Sequence, residues 1–83
     1  MSKARTTDEK FIVYMYENAK AMGDMETQFN RYEVGEKVGV HERGVNAISK
    51  LLLQANFIKN GDKENDVYLT ENGIQLALRI LEG

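Results

Sequence analysis

The chain has 83 residues, 42% of them hydrophobic, with no cysteine, no proline and a formal net charge of −2. That length suits one domain spanning residues 1–83 with a modest core, and the missing cysteines exclude a disulfide framework and a cysteine zinc site. An acidic chain does not hold nucleic acid by bulk attraction alone, and no apolar run approaches the length of a membrane span.

Met1 to Thr7 carry no apolar stretch of the signal-peptide kind, so a soluble cytoplasmic protein is expected. Thr6 followed three residues later by Glu9 is a capping-box signature. Phe11, Ile12, Met15, Ala19 and Met22 then recur at three- and four-residue steps, which predicts an amphipathic helix over residues 8–22 ending at Gly23. Val13, Tyr14 and Tyr16 make its other side apolar as well.

Residues 24–29 read as a connection. Asn30 with Glu33 forms a second cap, and Val34, Gly35 and Val38 give a short second helix a face that packs closely. Gly39 is placed to end it in a tight turn. A third helix is expected from about residue 41 to 55, burying Val45, Ile48, Leu52 and Ala55, with Arg43, Gly44, Asn46, Ala47 and Lys50 opposite. Leu51 and Leu53 flank Leu52 and cannot both face the same core, so one of them is left exposed.

Residues 57–59 and 67–69 are β-favouring runs around a polar, turn-prone stretch, which predicts a hairpin with a longer loop. One of the two flanking leucines is free to pack under that hairpin. Thr70 caps a last helix in which Ile74, Ala77 and Leu81 fall on one face and Leu76 and Ile80 on another. A small domain has one core. The second apolar faces of the first and last helices therefore need a partner or a deeper core than the length suggests. The expected architecture is mainly α with a small β-hairpin (α+β), in the order α-α-α-β-β-α.

This order, with the joint spacing of Val34-Gly35, Gly39-Val40, Val45, Ile48 and Leu52, resembles the winged helix-turn-helix family over roughly residues 8–80. Leu69-Thr70-x-x-Gly73 is similar to the hairpin-to-helix junction of regulators of the multiple-antibiotic-resistance and related types. Two features depart from the family pattern. Asn56 stands where the turn after the recognition helix usually has glycine, and the wing carries Lys59 and Lys63 against Asp62, Glu64 and Asp66 where it is usually basic.

The resemblance implies double-stranded DNA as partner and a third helix lying in the major groove. Arg43, Asn46 and Lys50 share one face of that helix. Arginine can donate twice to guanine, asparagine can pair with adenine, and lysine suits a phosphate. Ala47 would touch a thymine methyl, His41 matches a family position that often meets a phosphate or base edge, and Tyr32 or Arg31 would meet the phosphate backbone. Each has a plainer alternative: a solvated helix face for Arg43, Asn46 and Lys50, and an exposed ring with no role for His41. Glu42 serves as capping electrostatics at a helix start or accepts from cytosine. Lys3, Arg5 and Lys10 form either a basic arm or a frayed terminus.

Winged-helix proteins often pair through their terminal helices, which points to a homodimer with Tyr14, Leu76 and Ile80 at the interface. Between residues 31 and 63 basic side chains slightly outnumber acidic ones, a local positive balance in an acidic chain. No Gly-rich phosphate loop, nucleophile–base pair or paired carboxylates with persuasive spacing is visible, so no enzyme, cofactor or metal is expected. The rival reading is a winged helix used for contact with another protein, without DNA.

Overall fold

The computed structural model describes residues 5–83. Helix α1 runs Thr7–Met22 and starts on the expected capping box: the Thr6 amide donates to Glu9 Oε1 at 2.9 Å, and the Glu9 amide donates back to the Thr6 hydroxyl at 3.4 Å. It ends at Gly23. Both of its apolar sides are used. Phe11, Ile12, Met15 and Ala19 are fully buried, and Val13 and Tyr16 join the same core at 3% and 8% exposure. The chain answers α1's two-sided pattern itself, by packing α1 against the three other helices and the last strand. Met22 departs from the expected stripe: as the last residue of the helix it is 68% exposed.

A two-residue strand, β1 (Phe29–Asn30), lies where the sequence reads only as a connection. Asn30 then caps helix α2 (Arg31–Val38), its side-chain oxygen accepting from the amides of Tyr32 (2.9 Å) and Glu33 (3.3 Å). Gly39 closes α2 at φ 80°, a left-handed backbone that glycine adopts without strain. Helix α3 (Glu42–Gln54) follows after that turn. Val45, Ile48 and Leu52 are buried as expected, but Ala55 is exposed because the helix has already ended and it serves as the C-cap. Ser49, one turn from Val45, is fully buried with its hydroxyl unpaired. Leu53 packs against the core, whereas Leu51 is 59% exposed. Asn56 takes φ 63°, a left-handed backbone that asparagine tolerates better than most residues.

Strands β2 (Ile58–Asn60) and β3 (Asp66–Leu69) form the hairpin, and β1 adds on the far side of β3 to give the order β1-β3-β2, all antiparallel. Ile58 pairs with Leu69, Lys59 with Tyr68, and Phe29 with Val67. Side chains alternate across a strand, so Ile58, Val67 and Leu69 enter the core while Lys59 faces solvent.

Helix α4 (Glu71–Glu82) is capped by Thr70, whose hydroxyl accepts from the Gly73 amide at 3.0 Å and donates to the Asn56 carbonyl at 2.6 Å. It packs on α1 and β3, as α2 packs on α1 and α3. Its faces differ from the expected division. Gly73 and Ala77 are buried, Ile74, Leu76 and Ile80 pack half-buried against the core, and Leu78 and Leu81 are left 41% and 37% exposed. The seam lies nearer Leu76 and Ile80 than periodicity alone suggests, because the close approach at Gly73 fixes how α4 is rotated on the sheet.

Candidate nucleic-acid interface

The α2–turn–α3 unit is held tight by what is missing at Gly35. A methyl there would run into the Val45 side chain, and the Val40 amide donates to the Gly35 carbonyl at 2.8 Å. With Val45, Ile48 and Leu52 turned inward, the opposite side of α3 is left to solvent. Arg43, Asn46, Ala47 and Lys50 are all exposed there, on one face at helical spacing. Gln54, a turn beyond Lys50, extends that face; it is exposed too, and periodicity gives no reason to single it out.

His41 is the N-cap of α3, yet its side chain makes no capping bond. It lines an open concavity with Tyr32, Glu36 and Glu42. The two carboxylates there oppose a phosphate, offsetting the positive end of the helix dipole. The α3 start is therefore a poor anion seat, and the cationic part of the face is its middle, at Arg43 and Lys50.

Arg31 and Tyr32 stand at the start of α2 and are turned toward the protein as much as toward solvent. The Arg31 guanidinium lies 5.0 Å from the Tyr32 ring centre and donates from Nη2 to the Tyr32 oxygen (3.3 Å) and to Asn65 Oδ1 (3.2 Å). The Tyr32 hydroxyl in turn lies 2.6 Å from Asn46 Oδ1 on α3. Three residues expected at DNA, Arg31, Tyr32 and Asn46, are thus brought into one hydrogen-bonded chain that also ties in the wing. Asn65 escapes sequence reasoning because its bond to Arg31 spans 34 residues and leaves no local pattern.

The wing, residues 61–65, is short and pinned on both sides. The Gln28 side chain accepts from the Asp62 amide at 2.8 Å and reaches the Asp62 carboxylate at 3.3 Å, while the Arg31 amide donates to the Asn65 carbonyl at 2.9 Å. Asp62, Lys63 and Glu64 at its tip are exposed, so the tip stays net negative.

Arg5 and Lys10 gather with Lys37, Glu17 and Tyr14 around a shallow groove between α1 and α2; Lys3 lies outside the described residues. Of the side chains expected at a dimer interface, Tyr14 faces that groove, and Leu76 and Ile80 lie half-buried along α4. No cluster of acidic or histidine side chains able to hold a metal occurs among the described residues, and no helix of theirs is long and apolar enough to cross a membrane.

Three helices with a glycine turn between the second and third, a three-stranded antiparallel sheet and a closing helix make this a winged helix. The solved structure of SSV1 F-93 has the same fold, with a TM-score of 0.70 over 96% of this chain and 83% of that one, at 21% sequence identity. No protein-family model and no curated protein matches the sequence.

Proposed function

We propose that this chain is a sequence-specific double-stranded DNA-binding protein, a small cytoplasmic transcription regulator acting as a homodimer with α3 in the major groove. The observation that carries the proposal is the outer face of α3, where Arg43, Asn46, Ala47 and Lys50 stand clear of the core on a helix whose inner side packs on α2 through Val45 and Gly35. Arg43 donates to a guanine edge, Asn46 reads a neighbouring base, Ala47 meets a thymine methyl and Lys50 takes a phosphate. His41 and the Arg31–Tyr32 pair lie at the edge of the contact. The wing tip is acidic and stays out of the phosphate rows. Likeness to regulators of the multiple-antibiotic-resistance type rests on the hairpin-to-helix junction alone.

The overall charge of −2 does not defeat this reading. At physiological salt, charges act over only about 8 Å, so a bound phosphate responds to Arg43 and Lys50 rather than to acids elsewhere on the surface. Replacing Lys50 by alanine is expected to weaken binding about equally for all duplex sequences. It should also flatten the salt dependence by about one unit of log–log slope for each Lys50 that contacts a phosphate. An unchanged slope in a fluorescence anisotropy titration would remove Lys50 from the interface.

Pairing through α4 is supported by Leu78 and Leu81, one turn apart and 41% and 37% exposed, beside the half-buried Leu76 and Ile80. A two-fold dimer would present two copies of α3 to a two-fold site. Sedimentation velocity is expected to give a dimer for the unaltered chain and a monomer for the Leu78→Lys, Leu81→Lys double variant. A monomer before any substitution would end this part of the proposal.

A protein-binding module is the second reading, favoured by Leu51, 59% exposed on α3, and by the acidic wing tip.

A further inference from the structure

The hydrogen-bonded chain that joins the wing, α2 and α3 has a direction, and the direction has a consequence for base recognition. A guanidinium only donates. The Tyr32 oxygen, 3.3 Å from Arg31 Nη2, is therefore an acceptor of that bond, and its own proton is left for Asn46 at 2.6 Å. The Asn46 atom facing the phenol is its carbonyl oxygen, the arrangement that gives the phenol proton an acceptor. The ring 5.0 Å from the guanidinium and the second Arg31 bond to Asn65 Oδ1 hold the donor in place beside the Tyr32 oxygen. The Asn46 amide nitrogen is turned away from Tyr32 with both protons to give, from an exposed position on the same face as Arg43 and Lys50.

A free asparagine pairs with adenine by accepting from N6 and donating to N7. An asparagine whose oxygen is held back toward Tyr32 presents its amide protons outward, and the edge that takes two donors is guanine, whose N7 and O6 are both acceptors. Resting on the DNA reading above, we propose that Tyr32 is a positioning residue that fixes the Asn46 amide as a donor, and that Asn46 consequently selects guanine over adenine at the base pair it reads.

The test is selection of preferred sites from randomised duplexes by the unaltered chain and by Asn46→Ala, Tyr32→Phe and Arg31→Met, each checked for folding by circular dichroism. Asn46→Ala identifies the base pair by relaxing preference there. The unaltered chain is expected to hold guanine at that pair. Tyr32→Phe keeps the ring but frees the amide to turn over, and should shift the guanine-to-adenine ratio toward adenine by about fivefold or more, the lower range for one bidentate contact. Arg31→Met removes the donor that sets the direction and should shift the same pair, giving a second reading if Tyr32→Phe folds poorly. Adenine at that pair with the unaltered chain, a ratio that neither variant moves, or no change at any pair in Asn46→Ala overturns this inference alone. No enriched site with the unaltered chain overturns the DNA reading and this inference with it.

Discussion

Replacing Gly73 by alanine is expected to lower the melting temperature by roughly 10 °C or more, although helix propensity alone argues the reverse. Gly73 lies in the first turn of α4, where alanine would favour the helix by about 1 kcal/mol. The surroundings forbid the methyl. It would fall inside the van der Waals shell of the Phe57 carbonyl oxygen, 3.0 Å from the carbonyl carbon and 3.2 Å from Leu69 Cδ2. The obstacle is backbone, and that carbonyl is itself held by the Thr70 amide at 3.1 Å, so it does not move aside without breaking the bond that ties the start of α4 to Phe57. Forcing a methyl into packed structure typically costs about 1–3 kcal/mol, more where backbone must shift. Net of propensity, a loss of about 2 kcal/mol shifts a domain of this size by about 8–16 °C. Thermal denaturation followed by circular dichroism measures it. The exposed neighbour Asn72 serves as control, since Asn72→Ala is expected to move the midpoint by only about a degree or two. A Gly73→Ala midpoint at or above that of the unaltered chain would mean that α4 does not lie against the Phe57 carbonyl.

Gly73 also marks the boundary of what the residues alone reveal. Local signals are legible: the Thr6–Glu9 box, the Asn30 and Thr70 caps and the Gly39 turn are each dictated by neighbours within a few positions. Features that depend on distant partners are not. Strand β1 is only two residues long and exists because β3 has a free edge for Phe29 and Asn30 to join, so no alternation announces it. Val13 and Tyr16 read as a surplus face of α1, but the other three helices and β3 all pack on α1 and bury both sides. The rotation of α4 is set by the Gly73 contact, which moves the exposed leucine face to Leu78 and Leu81 and turns Leu76 and Ile80 toward the core. For the candidate site, the spacing of Arg43, Asn46 and Lys50 is enough to put them on one exposed face. That Tyr32 grips Asn46, and Arg31 grips the wing, lies beyond any pattern, because those bonds join residues 14 and 34 positions apart.

Reversing charge at Arg43 and Lys50 together, as Arg43→Glu with Lys50→Glu, is expected to abolish duplex binding while leaving the fold intact. Both side chains are exposed and neither lines the core, so the melting temperature should change by no more than a few degrees. Binding should respond far more strongly. One bidentate arginine–guanine contact is worth about 1–3 kcal/mol, a lysine–phosphate contact adds counterion release, and each new glutamate repels the backbone it faces. Together they predict a loss of at least about 100-fold at low salt. The same variant separates the two readings. A protein-binding module whose partner docks elsewhere would keep its complex with Arg43 and Lys50 reversed, whereas a DNA-binding protein would lose its ligand. Unchanged duplex affinity in a folded variant would move any nucleic-acid contact off α3.

That the outer face of α3 meets DNA phosphates and bases can be tested in a single titration. The unaltered chain is titrated into a labelled mixed-sequence duplex, with fluorescence anisotropy read across a salt series from low to physiological. Binding is expected at low salt and should weaken steeply as salt rises. The log–log slope should be about −2 for a dimer using Lys50 on each protomer alone, and steeper as further cations join. No binding at the lowest salt, or binding indifferent to salt, would contradict the claim and leave α3 as a surface for another protein.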